Sequence, residues 1–156
     1  MPDVPIDLER FERHHPDDFE RAMDEIESGQ KRTHWMWFIF PQITSLGRSQ
    51  MAIEYGINSV EEAEAYLRHP TLGRDYVRIV EAIWNQVVQH GVGAAELMGK
   101  PDDLKLVSSL TLFSTIARGL DEPAFAMLAD QCDGILVAAR VEGLGPCLAT
   151  VAFLTP

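Results

Sequence analysis

An all-α fold, a compact helical bundle of about six to seven helices around a buried aromatic segment, follows from three observations. Apolar residues recur at helical spacing in stretch after stretch, most clearly from Leu72 to Val88. Helix punctuation falls between those stretches: Ser59, three residues ahead of Glu62, has capping-box spacing, and Gly29, Gly91 and Pro70 read as stops. The third is the segment 31–42, Lys-Arg-Thr-His-Trp-Met-Trp-Phe-Ile-Phe-Pro-Gln, with six consecutive apolar side chains between polar ends. An aromatic side chain buries roughly 150–250 Å², so this segment is expected at the centre of the core.

In chain order, Asp7 is placed to cap a short helix bearing Leu8 and Phe11. Pro16 opens a second helix whose inward residues are Phe19, Met23 and Ile26. Residues 34–40 are read as a short buried helix, because an isolated strand has no partner among helices. Residues 43–58 are read as a structured loop with a helical piece at 48–53. Ser59 caps the next helix, which ends near His69-Pro70, and Thr71 opens the strongest helical pattern, ending at Gly91. One turn at 94–98 is followed by a helix from Asp102 to Gly119, then by one capped by Asp121 that carries Phe125, Leu128 and Cys132. From Ile135 onward only Arg140 and Glu142 are charged, and Gly-Leu-Gly-Pro at 143–146 breaks any regular element.

At 156 residues the chain reads as a single domain over 1–156, large enough to bury about 70% of its unfolded surface. Its 13 basic and 24 acidic residues give a net charge of −11, a field that repels phosphate backbones and argues against nucleic acid as a partner. A small anion responds instead to the local potential of a pocket. Cys132 and Cys147 do not make a disulfide framework. The N-terminal residues lack the basic start and apolar run of a secretion signal, and no uncharged apolar stretch reaches about 18 residues. A cytoplasmic protein without membrane partners is expected, and a protein partner stays open.

Several words of the sequence resemble an uncharacterised bacterial family, domain of unknown function 1810, whose members sometimes carry the label calpastatin. They are the segment 31–42, Leu8-Glu-Arg-Phe11, Leu46-Gly-Arg-Ser49, His69-Pro-Thr-Leu-Gly73 and Lys105-Leu-Val-Ser-Ser-Leu-Thr-Leu-Phe113. The resemblance covers residues 7–133 and implies a compact, mainly α-helical cytoplasmic domain. It supplies no activity, cofactor or catalytic residue, and the apolar end, 134–156, departs from the family pattern.

Three groups carry candidate chemistry. Arg32, His34 and Gln42 flank the aromatic segment: a guanidinium binds anions bidentately, an imidazole exchanges protons near neutral pH, and an amide orients a polar ligand. Trp35 is the candidate stacking surface, with Trp37 a second choice, against core packing for both. His69 and Arg74 surround a helix start whose free amides suit an anion. Lys105, Ser108, Thr111 and Thr115 share a helix face, with Ser109 beside them, suited to a cleft wall or to a helix contact. Together these define the expected site, a cleft holding a small anionic, nucleotide-like ligand through Arg32, His34, Arg74 and Lys105. An enzyme using His34 as acid or base is the alternative, and a protein-interaction module the second. Phosphate-loop, nucleophile-elbow and zinc-helix motifs are missing, the His14-His15 pair reads as part of a charged helix start, and neither a metal nor a cofactor is expected.

Overall fold

The computed structural model describes residues 5–155, so the first residues of the N-terminal segment considered above for a secretion signal lie outside it. Among the described residues ten α-helices follow in order: α1 (Glu9–Glu12), α2 (Asp17–Glu27), α3 (Met36–Ile39), α4 (Gln50–Glu54), α5 (Val60–Arg68), α6 (Leu72–Trp84), α7 (Ala94–Met98), α8 (Asp102–Arg118), α9 (Pro123–Val141) and α10 (Leu148–Leu154). A 3-10 turn spans Thr44–Leu46, and a π turn, Asn85–Gln89, prolongs α6. The fold is all-α.

The longest helices pack together, α8 on α9, α9 on α6, and α5 against both α6 and α8. Their shared core takes Tyr66, Tyr76 and Phe113, whose rings meet at centroid distances of 4.6–6.2 Å. Into that cluster α3 sends Phe40 and Ile39, and Phe40 meets the Tyr76 ring at 5.6 Å. The aromatic segment is therefore a single helical turn at the middle of the core, as its composition predicts.

Local rules explain some helix ends. Asp7 Oδ1 accepts from the Glu9 N–H, and Ser59 Oγ accepts from Glu62 N–H at 3.1 Å. The other half of the capping box differs from expectation. Glu62 is fully buried and its Oε1 receives Arg10 NH2 (2.6 Å) and Asn58 N–H (3.2 Å) rather than the Ser59 amide. The guanidinium of Arg10, itself buried, draws the carboxylate away. Asp121 is not the cap of α9 either: the N-cap is Glu122, without a side-chain bond, and Pro123 opens the helix. The loop 43–58 closes on itself through an isolated parallel bridge between Ile43 and Ile57. Inside it Gly56 is required by packing, since a Cβ there would lie 2.5 Å from the Thr44 Cα. The apolar end is helical on both sides of a turn: α9 runs to Val141 and α10 returns over α8.

Candidate functional site

The polar start of the aromatic segment is tied down by Glu25 of α2. Its Oε1 accepts from the Arg32 N–H (2.6 Å), the Thr33 N–H (2.9 Å) and Trp35 Nε1 (3.0 Å), and its Oε2 accepts from Thr33 Oγ1. Burial alone raises the pKa of a carboxyl. Four donors outweigh it here, Thr33 Oγ1 foremost, and hold Glu25 down to about 2. Lys31 N–H adds a bond to Leu97 O (2.7 Å). Trp35 is thereby a core residue, 0% exposed, with its one polar atom occupied. The Arg32 and His34 side chains point outward, exposed, without ion pairs to described residues.

Two residues on, Trp37 has a different setting. With Gln42, Arg48, Ser49, Tyr55 and Lys105 it lines a cavity of about 350 Å³ between α3, the 42–56 loop and α8. Lys105 Nζ lies 4.0 Å from the Trp37 ring centroid, over its face. Asp102, one turn earlier, holds Lys105 at 3.5 Å and Lys31 at 2.8 Å, so two ammonium groups share one carboxylate. Ser49 Oγ is spent capping α4 through the Ala52 N–H. The side chains of Trp37, Gln42 and Arg48 make no hydrogen bond to a described residue. Most tellingly, the lining holds Arg48 and Lys105 and not one Asp or Glu. The cavity sets the unpaired donors of Trp37, Gln42 and Arg48 beside the Lys105 ammonium, which Asp102 holds from outside the lining.

Of the residues singled out from sequence, Trp37, Gln42 and Lys105 thus meet at one cavity, joined by Arg48 of the stretch Leu46-Gly-Arg-Ser49. The others do not converge with them, and the single cleft expected above is corrected to separate places. His69 and Arg74 line another cavity, of about 440 Å³, with Arg68, Arg78, Glu122 and Phe125. The amides expected to receive an anion are already used there: His69 Nδ1 accepts from the N–H groups of Thr71 (3.2 Å) and Leu72 (3.1 Å). Arg74 rests on Asp75 at 3.1 Å. Ser108 and Ser109 are buried in helix packing. Ser109 bonds Tyr76 Oη at 3.0 Å, and Ser108 Oγ donates to Leu104 O and to Cys147 Sγ under α10. The row on α8 therefore divides: Ser108 meets the start of α10, Ser109 meets α6, and Thr115 is exposed.

The two thiols differ. Burial pushes Cys132 far up, whereas burial of Cys147 is outweighed by bonds from Ser108, Thr150 and the first amides of α10, which bring its pKa below the usual thiol range. Among the described residues no three His, Cys, Asp or Glu side chains are placed to hold a metal ion, and no helix is long and apolar enough to cross a membrane.

Fold and cavity define an all-helical protein with a cation-lined recess beside its aromatic core. The chain belongs to the family described as protein of unknown function (DUF1810), whose sequence profile matches residues 5–142. That match passes the residue-133 boundary suggested by the resemblance. The chain is similar to the conserved hypothetical protein Rv1873 from Mycobacterium tuberculosis, with 40% identity, coverage of 96% of each chain and a TM-score of 0.77. No curated protein matches it.

Proposed function

We propose that the chain binds a small anionic ligand, nucleotide-like in carrying a phosphate or carboxylate, in the cavity bounded by Trp37, Gln42, Arg48 and Lys105. One observation carries this reading: in a protein of net charge −11, this lining has two cations and no carboxylate. Such a recess concentrates positive potential against the field of the whole molecule. Arg48 offers a planar fork for two oxygens, Lys105 a point charge, and Gln42 and the Trp37 indole further donors. The volume, about 350 Å³, sits at the low end of the roughly 300–1,000 Å³ of ligand pockets and suits a mononucleotide or sugar phosphate. Arg32, His34 and Arg74, outside this lining, have no part in the reading, and an acid–base role for His34 loses its motive.

A thermal-shift screen against inorganic phosphate, nucleoside monophosphates, sugar phosphates and small dicarboxylates tests it. Ligand at 100 times its Kd adds about 2.7 kcal/mol. The shift is expected to vanish in Arg48→Ala and Lys105→Ala and to persist in His34→Ala and Arg74→Ala. A flat screen, or a shift surviving in the Arg48/Lys105 double variant, sinks the proposal.

A protein-contact reading draws on α9 and α10, where Met127, Val137, Val141 and Leu148 are 63–85% exposed. Val141→Asp with Leu148→Asp would then abolish self-association or capture in a pull-down while sparing any ligand shift. Retained association in that double variant ends this second reading.

A further inference from the structure

The recess assigned above to an anion also carries a definite charge. Arg48 and Lys105 are its cations, and among the described residues its lining holds no Asp, Glu or His. Asp102 approaches Lys105 at 3.5 Å from outside, but its closer partner is Lys31, at 2.8 Å. Lys31, Arg48 and Lys105 against this one carboxylate leave two positive charges. Behind the loop, Arg10 donates to Gly56 O (2.8 Å) and is matched by buried Glu62 at 2.6 Å, so that pair adds none. Glu54, next to Tyr55 in the chain, is exposed and screened by solvent.

Building on the anion reading, we propose that this recess selects a doubly charged phosphate monoester over a carboxylate, a phosphodiester or the singly charged monoester.

Charge and donor chemistry give the preference. A phosphate monoester at neutral pH carries close to two charges on three strong acceptor oxygens. A carboxylate brings one charge and two oxygens, and a diester has likewise lost one of each. The lining supplies only N–H cations as charged groups: Lys105 lies over the Trp37 ring, 4.0 Å from its centroid, and Arg48 is exposed and unpaired among the described residues. Three oxygens on one phosphorus bring both cations to a single group, and the Gln42 amide and Trp37 indole add neutral donors. A proton returning to the ligand cancels one of its charges and finds no carboxylate in the lining to receive it. The monoanion therefore loses on both counts.

The groups able to titrate in place of the ligand stand outside the lining or are pushed out of range. His14 of the α1–α2 turn places Nε2 2.9 Å from Tyr55 Oη, with Asp18 Oδ2 3.4 Å from its Nδ1. Asp102 and Lys31 face Lys105. Burial pushes the Tyr55 phenol up, so it stays protonated. The second ionisation of the ligand itself, at about pH 6, sets the pH dependence of binding.

Four probes titrated into the whole protein at constant ionic strength, followed by NMR at the Trp37 indole N–H, test the selection. Methyl phosphate gains its second charge across the range, dimethyl phosphate keeps one, sulfate keeps two, and succinate divides two between its ends. The Kd of methyl phosphate should rise about tenfold from about pH 7.5 to about pH 5, as the dianion falls to about a tenth. Sulfate affinity should stay constant over that range, which also shows that the site is intact. At the higher pH dimethyl phosphate and succinate should bind at least about tenfold more weakly than methyl phosphate. Lys105→Gln, which leaves one cation in the lining, should narrow the gap between methyl and dimethyl phosphate. A pH-independent Kd for methyl phosphate overturns the selection, and so does a diester or succinate that binds as tightly. Sulfate that fails to bind, or that weakens in step with methyl phosphate, places the discrimination in a ligand proton or in His14 and overturns it too. An unchanged gap in Lys105→Gln removes charge as the cause. In each of these outcomes an anion still binds. Probes that leave the indole signal unmoved, or that move it equally in the Arg48→Ala/Lys105→Ala variant, instead sink the anion reading itself and this selection with it.

Discussion

Residues 31–35 and the loop 42–49 sit at the two ends of one aromatic turn, and they treat their polar groups in opposite ways. At the first end, the hydrogen-bond donors of Arg32 N, Thr33 and Trp35 all converge on Glu25. At the second, the donors of Trp37, Gln42 and Arg48 are left open around a recess. Two tryptophans two positions apart on a helical turn point about 200° from each other, so one enters the core and the other walls the cavity. The contrast separates what holds the fold from what is free to bind. Buried polar groups are satisfied where they are structural, and a patch of unsatisfied donors beside a rigid core is the better guide to a site.

The largest effect expected from this contrast is on Trp35. Trp35→Ala removes a fully buried ring and should cost about 3–5 kcal/mol in urea unfolding, whereas half-buried Trp37→Ala should cost about 1. Equal losses at the two positions would break the distinction. Glu25→Gln comes next, with a loss of about 3 kcal/mol at neutral pH, in keeping with the fall of its carboxyl from 4.5 to about 2. Because the folded value is the lower one, this stability is complete above about pH 4.5 and drains away as pH falls towards 2. An acid-unfolding curve of Glu25→Gln with the wild-type slope across that window would refute the assignment. Ser59→Ala should cost about 1 kcal/mol, the loss of a single cap. Arg48→Ala, at the open end, should stay within about 0.5 kcal/mol of wild type by thermal melting. A larger loss there would mean that the loop needs its arginine for structure.

The helices were legible because their signals are local. Gly29 and Gly91 have positive φ where the pattern requires a stop, and Ser59 caps where its spacing to Glu62 places it. The site was legible only in part. Gln42 and Lys105 stood out beside the aromatics, but Arg48 faces Lys105 only because the Ile43–Ile57 bridge folds the loop back, and no short-range pattern announces that bridge. Arg32 and His34 lie outside this recess, because adjacency to a rigid segment does not say on which side of it a residue lies. Glu25 had a signal: it falls three residues after buried Ala22 and one before buried Ile26, a carboxylate on an inward stripe, and such a group needs donors. Ser108 and Ser109 could not be assigned because their partners, Cys147 at the start of α10 and Tyr76 of α6, lie 39 and 33 residues away in the chain.

The π turn at Asn85–Gln89 bears on how this chain tolerates changes in length. A π turn accommodates one more residue per hydrogen-bonded ring than an α turn, so deleting one residue from 85–89 could be absorbed as regular helix. The cost would fall on register. Gln86 reaches from this turn to the carbonyls of Ile26 (2.9 Å) and Glu27 (3.1 Å), closing the end of α2. A one-residue deletion N-terminal to Gln86 would swing that amide about 100° around the axis and leave both carbonyls to water. The same deletion C-terminal to it would leave the clasp in place, which makes the segment a hinge for indels on one side only.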